Sequence, residues 1–377
     1  MRVAIITLPL HTNYGGILQA YALKKNIEAL GHSAEVIDRR CKMMLPPVWK
    51  RPLIYIKRGF LNLKSPGRGP EIFRERRIMK ELPFVSAELS GFVTDKVAPR
   101  LVNDYTDIKL GEYDAYVVGS DQVWRPKYFG RIEDAFLDFA SRWNVRRVAY
   151  AASFGTDHLE YSYQQLEKCS ALLARFDAVS VRETSGVIVC DEWLGREDVA
   201  HVLDPVMLLS ADQYRILAEE TPARPARGKV LSYILDADSA KRFVLARVKT
   251  WLGIEHHEAY VADRDRSIPL ERRVVPPVSQ WLSCFDDAEF VVTDSFHGCV
   301  LAILFHKPFI ALANVGRGMS RIQSLLESLG LDDRIVQGID PEDDGEYYLS
   351  GIDWDNVDAR LEELKLRSTE FLRKALK

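Results

Sequence analysis

Residues 290–312, FVVTDSFHGCVLAILFHKPFIAL, contain an apolar run, a polar turn, an apolar helical stretch and a second apolar run. The run at 290–293 predicts a buried strand, 298–305 predicts a helix, and 309–312 predicts the next strand. A strand, a helix and a strand in this order form a βαβ unit, whose two strands are parallel. The segment therefore predicts an α/β fold built on a parallel sheet.

The polar turn of this segment carries residues suited to chemistry. Asp294 and Ser295 can cap the helix that follows, and Gly298 allows a close approach of the backbone. His297 falls in the first turn, where free N–H groups and a partial positive charge favour a phosphate. An imidazole there can act as an acid, a base or a phosphate donor. We therefore interpret His297 and Asp294 as catalytic candidates, although a core or capping histidine is the alternative.

The same alternation of strands and helices runs through the rest of the chain. It begins with a strand at 3–8, a Gly-rich turn at 11–16, a helix at 17–30 and a strand at 34–38. Further strands are predicted at 113–118, 147–152, 178–182 and 229–235. A Pro-rich basic linker at 221–228 separates the last of these from the others. The chain thus predicts two Rossmann-like lobes, a GT-B-like arrangement with an interdomain cleft.

The predicted boundaries follow from this pattern. The first lobe covers 1–220, the second covers 228–353, and an amphipathic helix covers 354–377. A basic, aromatic and Pro-rich stretch at about 42–80 interrupts the first lobe and is interpreted as an insertion. It is either a solvated surface excursion or a docking face for an anionic or lipid-linked acceptor at a membrane surface.

Polar residues follow several of the predicted strands, at the edge of the sheet where open α/β folds bind ligands. Some of them can hydrogen-bond sugar hydroxyls, and an indole can stack on a sugar ring. On this basis the candidates for acceptor binding are Asn13, Tyr14, Gln19, Ser120, Gln122, Trp124 and Ser153. Asp121 is a further catalytic candidate. A capping turn with a core tryptophan is the alternative for 119–124, and a surface Glu–Arg pair is the alternative for Arg182 and Glu183.

Composition excludes several classes of function. A formal net charge of −3 gives no reason to expect a nucleic-acid partner. The five cysteines are scattered, so neither a disulfide framework nor a zinc site is expected, and no metal or cofactor is predicted. No apolar stretch reaches about 18 residues, and the N-terminal run is too short for a signal peptide. A cytoplasmic protein is expected, with peripheral attachment at the inner face of the membrane as an open alternative.

In this order, the motifs resemble the polysaccharide pyruvyl transferase family. The matching segments are NYGGILQAYAL, YDAYVVGSDQVW, YAASFG, VSVRE, LDP, VVTDSFHG and HKPFIAL. The resemblance implies phosphoenolpyruvate as donor, a sugar acceptor that can be lipid-linked, and a pyruvate ketal as product. It implies that His297 is the histidine of the donor site and that Arg182 helps to hold the donor.

One position departs from the family pattern. Many relatives have Arg-x-His-Gly where this chain has Ser295, so a cation is missing from the expected donor site. Arg317 and Arg321 follow the next predicted strand and can supply the charge. A glycosyltransferase that uses a nucleotide sugar and a non-catalytic sugar- or phosphate-binding protein remain alternatives. The acceptor sugar and the oligomeric state are not predicted.

Overall fold

Two parallel β-sheets organise the chain. The computed structural model describes residues 1–39, 51–64, 70–156, 159–265, 267–314, 319–340 and 342–377. Each sheet is flanked by helices, so the predicted α/β fold with two Rossmann-like lobes in a GT-B-like arrangement is confirmed.

The first sheet has seven strands in the order β3-β2-β1-β4-β5-β6-β7. Its strands are β1 (Arg2–Ile6), β2 (Ser33–Arg39), β3 (Arg100–Val102), β4 (Ala115–Val118), β5 (Arg146–Ala152), β6 (Ala178–Val181) and β7 (Val199–His201). The helices of this half are α1 (Tyr14–Ala29), α2 (Arg51–Lys64), α3 (Arg74–Val85), α4 (Ala87–Phe92), α5 (Tyr163–Leu173), α6 (Thr184–Glu192) and α7 (Ala211–Ala218).

The second sheet has five strands in the order β12-β11-β10-β8-β9. Its strands are β8 (Val230–Tyr233), β9 (His256–Glu258), β10 (Phe290–Thr293), β11 (Phe309–Leu312) and β12 (Ile335–Val336). The helices that follow α7 are α8 (Ser239–Leu252), α9 (Val278–Asp287), α10 (Phe296–Leu304), α11 (Ser320–Leu329), α12 (Glu346–Leu349) and α13 (Trp354–Ala375). None of the described helices is both long and apolar enough to cross a bilayer.

The central strands are apolar along their whole length because helices cover both faces of each sheet. All four residues of β4, AYVV, are buried, and so are all four of β10, FVVT. Continuous apolar runs of this kind cannot show which face of a strand lies inward. They do mark the strand ends sharply, since the first polar residue stands where the strand leaves the core.

The strand order changes direction once in each sheet. In the first sheet the change lies between β1 and β4, and in the second it lies between β8 and β10. At such a point the connections that follow the two neighbouring strands run toward opposite faces of the sheet. A crevice therefore opens at the carboxyl ends of these strands. Both polar motifs that the sequence singled out, 119–124 and 294–298, follow strands at these two positions.

Aromatic packing joins the two lobes beside the cleft. The ring of Tyr14, at the start of α1, stacks on Trp281 of α9 with 4.5 Å between centroids. The Tyr14 hydroxyl donates to the carbonyl of Pro276 at 2.6 Å. Helix α13 then returns to the first lobe, where the Ser368 hydroxyl accepts from the Leu203 amide at 3.0 Å. The C-terminal helix therefore ties the lobes together.

The inserted segment and α1 differ from the sequence prediction. Helices α2, α3 and α4 lie between β2 and β3, so the interruption continues well beyond residue 80, while the parts of it at 40–50 and 65–69 lie outside the described residues. Helix α1 begins at Tyr14 rather than at 17. Gly15 and Gly16 thus belong to its first turn, because backbone without a side chain is needed there.

We expect Trp281→Ala to destabilise the protein by about 3–5 kcal/mol, since a fully buried indole at the lobe contact would leave a cavity. Trp193→Ala is the matched control because the side chain of Trp193 is half exposed. Guanidinium denaturation measures both variants. Equal shifts of the two unfolding transitions would contradict the role assigned to the Tyr14–Trp281 stack.

Candidate functional site

A buried arginine forms the centre of the site. Arg182 directly follows β6, and its side chain is fully buried. Its Nη1 donates to Asp204 Oδ2 at 2.7 Å and to the Ser120 hydroxyl at 3.3 Å. Its Nη2 donates to Asp121 Oδ1 at 3.3 Å, and its Nε lies 3.9 Å from Glu183 Oε2. A guanidinium cannot be buried without such compensation, so these residues form one unit.

The charges of this unit stabilise one another. Burial acts to lower the pKa of Arg182, but the carboxylates of Asp204, Asp121 and Glu183 outweigh it, and the pKa lies above its usual range. Burial acts to raise the pKa of Asp204, but the neighbouring His297 and Arg182 hold it well below its usual range. Asp204 is therefore ionised at neutral pH and can stabilise a positive charge that appears on the imidazole.

The second lobe contributes His297, the second residue of α10. Its Nε2 is buried without a hydrogen-bond partner among the described residues and lies 3.7 Å from Asp204 Oδ2. The neighbouring Phe296 ring packs under the Arg182 guanidinium, with 4.5 Å from Cζ to the centroid. The imidazole and the arginine unit therefore meet across the cleft.

Gly15 lets the first turn of α1 pack against the second lobe. A Cβ atom at Gly15 would lie 2.0 Å from Nδ1 of His297, so only glycine lets the first turn of α1 pack against the imidazole. At Gly16 the corresponding atom would lie 3.0 Å from Asn13 Nδ2. The Gly-rich motif therefore leaves room for the His297 side chain of the opposite lobe.

A second arginine lies at the same place. Arg321 is in the first turn of α11 and is buried. Burial and the positive charge of Arg182 lower its pKa to about 10, while Glu183 and Asp121 act in the opposite direction. One turn further along α11, the Ser324 hydroxyl accepts from the Thr184 amide at 2.9 Å, so the start of α11 packs beside the strand end that carries Arg182. Arg317, the other cation expected to replace the missing family arginine, lies outside the described residues.

The residues around His297 have mainly structural contacts. Asp294 accepts from the Leu235 amide at 2.6 Å, from Lys241 Nζ at 2.7 Å and from Asn314 Nδ2 at 2.9 Å. It therefore fixes the loop after β8, and Asp204 rather than Asp294 is the carboxylate beside the imidazole. The catalytic role predicted for Asp294 stays a prediction.

Ser295 and Gly298 complete the start of α10. Ser295 is the N-cap residue, but its hydroxyl makes no capping bond; its amide donates to the Thr293 hydroxyl at 3.1 Å. A Cβ atom at Gly298 would lie 2.2 Å from that hydroxyl oxygen, so glycine is required for the helix to approach the strand. The amides of the first turn remain available to an anion because no side chain caps them.

Four of the candidate acceptor residues line the end of the first sheet. Asn13 Nδ2 donates to Asp121 Oδ2 at 3.0 Å, and Asp121 has a left-handed backbone with φ of 67°. Ser120 donates to Asp204 at 2.7 Å. Ser153 accepts from the Gly155 amide at 3.1 Å, and Gln122 accepts from Arg125. Asn13 and Asp121 are thereby brought next to the arginine unit.

Three other candidates are packing residues. Trp124 is fully buried, stacks on Phe136 at 4.9 Å and donates from Nε1 to the Ala135 carbonyl, so it offers no ring face to a sugar. Tyr14 stacks between the lobes, as described above. Gln19 is fully buried and donates to the Thr7 hydroxyl at 2.8 Å. The core tryptophan, left open by the sequence, is what the structure shows.

Sequence reasoning did not include Asp204 or Glu183 among the site residues. Both are fully buried, which rules out the surface Glu–Arg pair, and Glu183 also accepts from the Phe154 amide at 2.9 Å. The LDP and VSVRE motifs were the available signals, since each sets a carboxylate directly after a strand. Elsewhere at the end of the first sheet, burial raises the pKa of Asp38 to about 6.

Among the described residues, no group of three or more His, Cys, Asp or Glu could hold a metal ion.

We expect Asp204→Asn to lower the free energy of unfolding at pH 7 by about 3 kcal/mol, because it leaves the buried Arg182 undercompensated. Asp212→Asn, which removes an exposed partner of Arg215, should cost less than about 1 kcal/mol. Guanidinium denaturation of both variants gives the comparison.

The pH dependence of the same experiment is a further check. The folded pKa of Asp204 lies below that of the unfolded chain, so its contribution is present above about pH 4 and is lost as the pH falls below that value. The gap between wild type and Asp204→Asn should therefore narrow in acid. A gap that stays constant between neutral and strongly acidic pH would contradict the assignment.

Several solved structures are similar to the chain over nearly their whole length. UDP-GlcNAc 2-epimerase from Neisseria meningitidis is 10% identical with a TM-score of 0.49, covering 100% of this chain and 99% of that one. Sucrose-phosphate synthase from Thermosynechococcus elongatus is 14% identical with a TM-score of 0.48, covering 99% and 98%. The glycotransferase of kitacinnamycin is 11% identical with a TM-score of 0.48, covering 100% and 99%.

No curated protein matches the chain significantly. The family model for polysaccharide pyruvyl transferases matches residues 13–315, which is well over half of the chain and includes every strand-end motif described above. The chain therefore belongs to the polysaccharide pyruvyl transferase family, a family of transferases.

Proposed function

We propose that the protein transfers pyruvate from phosphoenolpyruvate to two hydroxyls of a sugar and forms a ketal, in the synthesis of a cell-surface or exopolysaccharide. The observation that carries the proposal is the contact of His297 with the buried Arg182 unit across the cleft, within the segments that match the family. The family implies a sugar or polysaccharide acceptor. The donor and the ketal chemistry are the parts that experiment must test.

The donor anion needs positive groups at the site. Arg182 has both terminal nitrogens bonded to carboxylates, so it is better suited to positioning the site than to binding the donor directly. The groups that we assign to donor binding are Arg321, in the first turn of α11, and the first-turn amides of α10, where Ser295 and Gly298 lie. A phosphate and a carboxylate can be shared between a guanidinium and a helix N-terminus.

The proposed reaction has three steps. A proton is added to the methylene carbon of the enol, which makes the central carbon electrophilic. One sugar hydroxyl forms a C–O bond to that carbon and loses its proton, and the bond to the phosphate oxygen breaks. A second hydroxyl replaces the phosphate and loses its proton, so phosphoenolpyruvate and a diol give a ketal and inorganic phosphate.

His297 is the residue that we propose delivers the first proton. Its imidazole lies beside the ionised Asp204, which stabilises the imidazolium before transfer. Asp121 and Asn13 lie on the side of the first lobe. The Asn13 amide can hydrogen-bond an acceptor hydroxyl, and the Asp121 carboxylate can accept its proton. A basic group and an acidic group on opposite lobes would then act on the two substrates.

Donor identity is tested by calorimetric titration. Phosphoenolpyruvate should bind wild type saturably, and Arg321→Ala should weaken it about 10–100-fold, as expected when charge-assisted hydrogen bonds are lost. Arg367→Ala, at an exposed position of α13, should bind as wild type does. UDP- and GDP-sugars are titrated in parallel; if one of them binds and phosphoenolpyruvate does not, the protein is a nucleotide-sugar glycosyltransferase.

The proton donor is tested by turnover. His297→Gln should lower phosphate release from phosphoenolpyruvate and a panel of sugar acceptors by about 10²–10⁴-fold while donor binding persists. The exposed His256→Ala variant is the control. In D₂O the ketal methyl should contain one deuterium. Donor binding without turnover by wild type for any acceptor would instead favour the non-catalytic alternative.

A further inference from the structure

Helix α2 presents an apolar stripe on its outer face. Leu53, Ile56, Phe60 and Leu63 are 68%, 69%, 57% and 80% exposed. Their spacing of three, four and three residues places them on one side of the helix. None of α2 is buried. Contiguous exposed apolar residues of this size mark an interaction surface rather than ordinary solvent-facing helix.

The opposite face of α2 is held in place, so the direction of the stripe is fixed. Arg58 pairs with Glu75 at 2.6 Å and donates to the Ile72 carbonyl at 3.0 Å. Asn62 donates to the Pro70 carbonyl at 2.8 Å. The ring of Tyr55 packs edge-on against Phe73 at 4.9 Å. These contacts turn the four apolar side chains away from the rest of the described chain.

The segment of sequence that contains the stripe is strongly basic. Between Asp38 and Glu71 the sequence has nine basic residues and no acidic residue: Arg39, Arg40, Lys42, Lys50, Arg51, Lys57, Arg58, Lys64 and Arg68. On the helix itself, Lys57 and Lys64 border the apolar stripe. The whole chain has a net charge of −3, so the positive charge is local to this segment.

Helix α3, which packs beside α2, also exposes apolar and basic residues. Arginines pair with the acidic residues near it: Glu71 and Glu81 pair with Arg77, and Glu81 also pairs with Arg273. The exposed residues of α3 and its N-cap are basic or apolar, namely Phe73, Arg74, Arg76, Met79, Lys80, Pro83 and Phe84. The exposed part of α3 thus carries apolar and basic groups and little negative charge.

The location of this surface links it to the cleft. The inserted helices start from the carboxyl end of β2, the edge of the first sheet on which the site lies. Their far end contacts the second lobe, where the Val275 amide donates to the Val85 carbonyl at 2.8 Å and Arg273 pairs with Glu81 at 2.8 Å. The basic and apolar surface is therefore attached to both lobes beside the cleft.

We propose that α2 and the outer face of α3 dock on the surface of an anionic lipid bilayer. The apolar stripe enters the boundary between head groups and acyl chains, and the bordering lysines contact lipid phosphates. A second copy of the chain is a poorer occupant, because a symmetric contact would bring two basic surfaces together. Docking is independent of the donor chemistry; only its consequence, access to a lipid-linked acceptor, rests on the proposed function.

Vesicle co-sedimentation tests the docking with the full chain. Wild type should bind vesicles of equal parts phosphatidylcholine and phosphatidylglycerol at least about tenfold more tightly than phosphatidylcholine alone, and added salt should weaken binding. The triple variant Leu53→Ser, Ile56→Ser and Phe60→Ser should lose at least about tenfold in affinity for the anionic vesicles, and Lys57→Glu with Lys64→Glu should do the same.

The controls use equally exposed apolar residues elsewhere. Ile216→Ser and Leu366→Ser, at positions 65% and 72% exposed, should bind vesicles as wild type does. Phosphoenolpyruvate titration of the α2 variants separates failure of docking from failure of the proposed chemistry. The proposal is overturned if wild type does not bind anionic vesicles, or if the α2 variants bind them with the affinity of wild type. It is also overturned if the α2 variants keep their binding to anionic vesicles and lose self-association or binding to an acidic protein.

Discussion

The burial of one guanidinium imposes most of the order at this site. Arg182 has no contact with solvent, so its charge must be balanced by carboxylates within hydrogen-bond reach. Those carboxylates come from three different strand ends, after β4, β6 and β7. The relative positions of these loops are therefore fixed by one electrostatic requirement. The second lobe closes over the unit with an aromatic face and an imidazole, which need an ordered surface to pack against.

The same requirement explains why the two lobes contribute different parts of the site. The first lobe supplies a rigid, internally neutralised platform, whereas the second supplies His297 on the first turn of a helix. Gly15 allows the two to touch, because any side chain there would occupy the position of the imidazole. The stack of Tyr14 on Trp281 lies next to this contact in the chain and keeps the lobes in register. Packing of the lobes and geometry of the site are thus coupled through the start of α1.

The sequence predicted the strand ends well because polar residues after an apolar run are visible without knowing the fold. It could not predict which strand ends become neighbours. Asp204 follows the edge strand β7, and it reaches Arg182 only because β7 lies beside β6. The position of Trp124 could not be predicted for a similar reason. Whether an indole after a strand faces the cleft or the core depends on the path of the turn, and here the indole is fully buried. Arg321 was predicted as a donor-site cation from its position after β11. That it lies near Arg182 is visible only in the folded chain.

Counting charges in the site constrains how an anionic donor could be held. Asp121, Glu183 and Asp204 carry three negative charges, and Arg182 is committed to them. Under the proposed function, a phosphoenolpyruvate anion would be bound by Arg321 and by the uncapped amides at the start of α10. Ser295, in place of a family arginine, adds no charge but leaves those amides without a side-chain cap. Under the proposed function, the amides at this helix N-terminus would take a large share of donor binding, because Ser295 brings no charge of its own to the start of α10.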